Sequence, residues 1–211
     1  MKESILDKIK EGEHVMQDFK FCIEDSKKIA RTLCAFANTQ GGVLLIGVKD
    51  NGKIVGINPS EEIHMIEAAA ELYCKPPLSF ETRVWQENMR MVLEVQINKS
   101  TDKPVLALDE NGEWKAYVRF DDHTIIASKI IRSLWKLEKH HQQKPEKMGD
   151  AEIQLLKLIA QTENCSLSKL YRTSSLSKKQ IDHLLPLFLY WKLIAFKRSE
   201  NGLYFVIEPE I

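Results

Sequence analysis

Apolar residues recur at helical spacing in some stretches of the chain and run on or alternate at strand spacing in others. Ile5, Leu6 and Ile9 share one side of a helix predicted over Glu3 to Glu11. Gln17 to Cys22 reads as a strand. Asp25 or Ser26 caps the next helix, whose apolar positions are Ile29, Ala30, Leu33, Cys34, Phe36 and Ala37. Asn38-Thr39-Gln40-Gly41-Gly42 stops it, because glycine accepts positive φ at a helix C-terminus. Val43 to Val48 is a continuous apolar run of strand length, which predicts a central strand covered on both faces. Asp50-Asn51-Gly52 is a hairpin turn signal, and Lys53 to Ile57 is the predicted returning strand.

Pro59 to Cys74 reads as a helix with Ile63, Ile66, Ala69, Ala70 and Tyr73 inward, ended by Pro76-Pro77. Strands are predicted near Leu78–Trp85, Arg90–Ile97, Pro104–Leu108 and Trp114–Phe120, and a helix over Ser128–Leu137. The sum is a mixed α+β domain over residues 1–137. Residues 138–149 form a polar linker that contains the adjacent pair His140 and His141. Residues 150–211 then change in composition. A leucine- and isoleucine-rich helix spans Ala151 to Ala160, a short one capped by Ser166 follows, and Ser177 caps a third. Strands Leu193–Lys197 and Leu203–Ile207 flank the turn Ser199-Glu200-Asn201-Gly202. Three helices and a two-stranded ribbon in that order resemble a winged helix.

Composition narrows the class. The chain has 211 residues, 44% hydrophobic and 28% charged, which suits a soluble globular protein. No apolar run approaches the roughly 20 residues that span a bilayer, so no membrane partner is expected. The first residues alternate charge and do not read as a signal peptide, so a cytoplasmic chain is expected. Cys22, Cys34, Cys74 and Cys165 are widely spaced and form neither a zinc pattern nor a disulfide framework. Thirty basic residues balance thirty acidic ones. Bulk electrostatics therefore does not draw this chain to nucleic acid, and such binding has to rest on where the charges sit.

Four blocks between Glu13 and Gly56 carry a resemblance. They are Glu13 with Asp18-Phe19-Lys20, Phe36 to Gly42, Ile46 to Asp50, and Gly52 to Gly56. Their order and content resemble the Schlafen AlbA-like domain, often described as DNA-binding, and Ala116-Tyr117-Val118-Arg119 resembles its Tyr-x-Arg strand. The likeness covers about residues 1–135. Asp18 stands where the pattern usually has Glu, and Phe120 where it more often has a small residue before Gly-Ser-Ser-Thr.

Three chemistries follow as expectations. Some Schlafen-type proteins cleave RNA with three acids, and the resemblance places Glu13, Asp18 and Asp50 at those positions as Mg²⁺ or Mn²⁺ ligands, with Lys20 steadying phosphate. Read from the residues alone, the same acids are a helix-end acid, an exposed strand acid and a turn-forming aspartate. Arg119 and Tyr117 share a strand face and suit phosphate and base contact; the alternative for Arg119 is a carboxylate pair at the sheet edge. In the second domain Lys178, Lys179 and Gln180 open the third helix, the end that meets DNA in helix-turn-helix proteins, and Lys197 and Arg198 flank it at the wing. Gly41-Gly42 lacks the phosphate-cradle spacing and reads as a helix stop. The apolar surplus over Leu184 to Trp191 is core or a dimer interface. The expected function is nucleic-acid binding, with DNA favoured and RNA possible, by a homodimeric transcriptional regulator that needs no cofactor to bind. The rivals are a metal-dependent RNA endonuclease and a protein-interaction module.

Overall fold

A computed structural model describes residues 4–140, 143–199 and 202–208. His141, Glu200, Asn201 and the start of the first predicted helix at Glu3 lie outside the described residues. The chain divides into two compact units, Met1–Ala127 and Ser128–Ile211.

The first unit opens with α1 (Ile5–Glu11), β1 (Gln17–Lys20), α2 (Ser26–Asn38) and β2 (Gly42–Ile46). Asp25 caps α2 by accepting the backbone N–H groups of Lys27 and Lys28. β1 and β2 pair in parallel, so α2 is the crossover of a βαβ unit. After α3 (Pro59–Leu72) and the short β3 (Cys74–Lys75), β4 (Glu81–Glu87) and β5 (Arg90–Ile97) form a hairpin. Its two-residue loop, Asn88-Met89, has φ of 47° and 62° at its two positions, the signs a tight hairpin turn requires. The principal sheet has the order β1-β2-β5-β4.

β2 lies between β1 and β5 and is covered on both faces, as its unbroken apolar run predicts. Leu44 and Ile46 join Leu33, Phe36, Ile66, Leu93 and Val95 on the side of α2 and α3. Leu45 joins Ile5, Phe19, Val48 and Val92 on the side of α1. The predicted return strand after Asp50-Asn51-Gly52 shrinks to a single bridge, Val48 to Ile54. The antiparallel partner of β2 is β5 instead, whose longer apolar run fills that edge. The stretch Trp114–Phe120 is broken into β7 (Trp114–Lys115), which pairs with β6 (Leu106–Leu108), and β8 (Tyr117–Phe120), which pairs with β9 (His123–Ile126).

In the second unit α4 (Lys129–Glu138) precedes α5 (Asp150–Gln161), α6 (Leu167–Thr173), α7 (Lys178–Tyr190) and the hairpin β10 (Ile194–Ser199) with β11 (Gly202–Ile207). Cys165 adds one antiparallel bridge to Phe205. The sequence places the helix of α4 with the first domain, up to residue 137. The structure joins it to the second unit: Ile130 lies in the core of α5, α6 and α7, and Lys129 Nζ meets Asp182 of α7 at 2.7 Å. Leu184, Leu185, Leu187 and Phe188 are buried in that same core, so most of the apolar surplus is interior.

Candidate functional site

The Phe36–Gly42 block is a structural knot. Asn38, at the end of α2, is buried, and its amide is fully used. Nδ2 donates to the carbonyls of Val105 (2.8 Å) and Tyr117 (2.9 Å), and Oδ1 accepts the N–H of Val105 (2.8 Å). The Thr39 hydroxyl donates to Ala35 O and accepts the N–H of Arg119 (2.9 Å). Gly41 has φ +80°, and a Cβ there would meet Ile97 O at 2.8 Å. A Cβ on Gly42 would strike the Phe36 ring at 2.3 Å. The two glycines thus serve the reversal from α2 into β2 and the close seating of Phe36.

Arg119 sits over that same ring, its Cζ 5.0 Å from the Phe36 centroid. It is 3% exposed. Nη1 donates to Asp18 Oδ1 (3.2 Å) and Thr124 Oγ1 (3.3 Å), and Nη2 to the carbonyls of His14 (3.1 Å) and Gln17 (3.3 Å). Tyr117 is buried as well. The sequence offers these two side chains as a binding surface; the structure puts both inside, and the carboxylate pair is the arrangement present. The reason is register: β8 lies against α2, so Arg119 is directed at β1 rather than at solvent.

Asp18, read from the sequence as an exposed strand acid, is 4% exposed. Lys20 Nζ lies 2.7 Å from its Oδ2, so the carboxylate stands between two cations. Glu13 accepts the Phe19 N–H at 2.9 Å. Burial pushes the Glu13 carboxyl above its usual range, the Asp18 charge adds to this, and the Phe19 N–H and Lys20 offset part of it. Asp50 is exposed, in the turn that follows Val48. Among the described residues no group of three or more Asp, Glu, His or Cys side chains could hold a metal ion. Glu13 and Asp18 are brought together; Asp50 is not brought to them. A divalent cation needs several oxygens free of competing cations, and Asp18 is held by Arg119 and Lys20. The three acids therefore do not fit the metal set that the resemblance implies.

In the second unit the candidate side chains face outward. Ser177 and Gln180 form a reciprocal capping box at the start of α7. Gln180 Oε1 accepts from the Ser177 N–H (3.0 Å) and hydroxyl (2.7 Å), so its carbonyl takes part in the cap while the side chain stays exposed. Lys178 and Lys179 are exposed, with Lys178 Nζ 5.5 Å from the Tyr171 ring centroid. Lys197 is exposed and Arg198 half-buried. They are successive residues of β10, so they project from opposite faces of the hairpin and cannot both serve one surface. Sequence reasoning missed Asn38, Thr39 and Gln17 as the partners that organise the first unit. Their signal was polar residues inside an otherwise apolar helix end and strand. Among the described residues no helix is long and apolar enough to cross a membrane.

One solved structure, the DIP2311 protein from Corynebacterium diphtheriae, is similar with TM-score 0.42 and 14% identity, over 92% of this chain and 34% of that one. The chain thus spans about a third of that protein's length. A second is the N-terminal domain of a Nitrosomonas europaea protein described as related to the ATP-dependent DNA helicase RecG, with TM-score 0.40 and 21% identity over 66% of this chain and 95% of that one. No curated protein matches the chain. The family model described as Schlafen, AlbA_2 matches residues 12–128, a span that holds all four sequence blocks and the Tyr-x-Arg strand and ends beside the boundary between the units. With more than half of its length matched in this way, the chain belongs to the Schlafen AlbA_2 family.

Proposed function

We propose that this protein binds nucleic acid, and that it is a DNA-binding transcriptional regulator whose second unit works as a winged helix with α7 presented to duplex DNA. The observation that carries the reading is the first turn of α7. Its deeper residues Ile181, Leu184, Leu185 and Phe188 anchor it in the core, while Lys178 and Lys179 stand in solvent at its N-terminal end. A helix fixed by its inner face and basic at its outer end is the form a recognition helix takes. The hairpin β10–β11 follows it directly and carries exposed Lys197 at the position of a wing. A single short helix contacts few base pairs, so the reading includes a symmetric dimer that doubles the contact.

The test is duplex binding by fluorescence anisotropy across a salt series. Wild type should bind, and replacing both Lys178 and Lys179 by Ala should weaken binding and lower the salt slope by about 2, close to one per phosphate lost. Unchanged affinity and slope would remove α7 from the interface. Light scattering should give a dimer, and a monomer at tens of micromolar, an order-of-magnitude concentration for a stable homodimer, would remove the symmetric arrangement. The same protein incubated with labelled RNA and Mn²⁺ should leave the RNA intact. Cleavage that disappears in both Glu13→Gln and Asp50→Asn would replace this reading with the endonuclease.

A further inference from the structure

We propose that the open edge of β4 is the surface on which two copies of this chain join, by antiparallel pairing of β4 with β4 about a two-fold axis at Trp85. The inference supplies the interface for the symmetric dimer of the proposed function, and rests on that reading only for the existence of a dimer. The apolar surplus of α7 is mostly interior, so the contact has to lie elsewhere.

The principal sheet has two edges, and the chain treats them differently. At β1, Gln17, Asp18 and Phe19 are buried, and the Arg119 guanidinium donates to the carbonyls of His14 and Gln17. At the other edge, β4 pairs with β5 alone among the described residues. Glu81 to Val84 and Gln86 are exposed, Val84 by 43%. The strand is seven residues long and runs in unbroken register with β5. It has no bulge, proline or lysine, devices that commonly blunt such an edge.

Turn geometry decides which backbone groups face outward. In a hairpin with a two-residue loop the flanking pair, here Glu87 and Arg90, exchanges both backbone hydrogen bonds, and such pairs alternate along the ladder. Arg83 and Trp85 therefore turn their N–H and C=O groups to β5, and Thr82, Val84 and Gln86 turn theirs to the open edge. A two-fold axis at Trp85 lets Val84 exchange hydrogen bonds with the partner's Gln86. It sets Trp85 against the partner's Trp85 in a non-hydrogen-bonded pair, where side chains approach most closely.

Charge selects that register. Arg83 and Glu87 lie two positions to either side of Trp85, on its face of the sheet. The axis at Trp85 places Arg83 opposite the partner's Glu87, and Glu87 opposite the partner's Arg83. An axis at Val84 would oppose Glu81 to the partner's Glu87, and one at Arg83 would oppose arginine to arginine. An axis at Gln86 would set Arg83 against the partner's Met89 and form no ion pair. Opposite charges across strands attract, and like charges directly opposite destabilise. Trp85 is also a prepared anchor. Its Nε1 donates to Glu94 Oε2 at 2.5 Å, the Arg83 Cζ lies 3.6 Å from its ring centroid, and the residue is half-buried. A side chain already held in place loses little freedom when it is covered. The product is one continuous sheet made from two four-stranded ones.

The test uses the full chain and light scattering over a concentration series. Arg83→Glu and Glu87→Arg should each weaken the wild-type dimer by about tenfold or more, because each sets like charges opposite one another at both ends of the contact. An equal mixture of the two variants should restore the dimer, since one copy is then acidic at both positions and the other basic. Both changes in one chain should restore it too. A merely structural role for these residues would not produce rescue by mixing. A dimer that neither single change weakens overturns the edge and leaves the symmetric dimer to another surface. Weakened variants that the mixture does not rescue overturn the edge as well. A wild-type monomer overturns the edge and the symmetric arrangement together. Absence of duplex binding by a wild-type dimer that shows the rescue sinks the α7 reading and leaves the edge standing.

Discussion

Asp18 and Arg119 of the first unit are as hidden as the aliphatic residues around them, whereas Lys178 and Lys179 of the second stand in water. The first pair belongs to the blocks that mark the family, and the second belongs to no such pattern. In the first unit, charge and amide groups replace backbone pairing where α2, β1 and β8 come together: Arg119 joins Asp18 and two carbonyls of the β1 segment, and Asn38 joins Val105 and Tyr117. Among the described residues of the second unit, every buried side chain is apolar. The difference teaches that the polar residues of the family blocks in this chain are architectural, whereas the exposed lysines at the start of α7 carry no such structural duty.

The sharpest way to break that comparison is Arg119→Ala. It leaves the Asp18 carboxylate buried beside Glu13 with Lys20 as its remaining cation, and removing one partner of a buried ion pair typically costs about 3–5 kcal/mol. Urea unfolding should show a loss of that order. A loss under about 1 kcal/mol, the range of an exposed pair, would mean that the pair is no part of the architecture. Asn38→Ala comes next. It strands the Val105 N–H and two carbonyls in the interior, and each unsatisfied group costs about 1–3 kcal/mol. The midpoint of unfolding should fall clearly, with no effect on binding in the protein that remains folded.

Exchanging both Lys178 and Lys179 for Ala should do the reverse. Stability should move by no more than about 0.5 kcal/mol, as for most surface changes, and only duplex affinity should fall. Comparable losses of stability in the Lys178/Lys179 and Arg119 variants would erase the contrast between the units.

The mildest effect concerns Glu13. Its carboxyl is raised in the folded protein, chiefly by burial. A raised acid binds its proton more tightly when folded, so it lowers stability as pH rises from the unfolded value through the folded one. Glu13→Gln removes that term while keeping an oxygen for the Phe19 N–H. The variant should gain stability relative to wild type over that acidic window and hold the gain at neutral pH. A relative gain that grows as pH falls would reverse the sign and show that the folded protein favours the ionised form.

Much of the architecture was legible in the order of apolar residues. The unbroken run before Lys49 gave a central strand, and the caps Asp25, Ser166 and Ser177 stand where the sequence puts them. Non-local choices were not legible. Nothing within the Lys53–Ile57 stretch says that β5 will outcompete it for β2, since that depends on residues some 40 positions away, read from the pairing of Gly42 with Ile97 through Ile46 with Leu93. The direction of Arg119 was hidden for the same reason: strand alternation gives a face but not what covers it.

The allegiance of α4 has a practical sequel for anyone dividing the protein. A fragment ended after residue 137, where the apolar periodicity stops, would carry Ile130 and Leu137 with nothing to cover them, and would leave Asp182 without Lys129. Such a fragment invites aggregation, and its missing half would be short of a wall. Scissors placed between Ala127 and Ser128 spare both pieces, and a solubility screen of the two cut points would show the difference in a single gel.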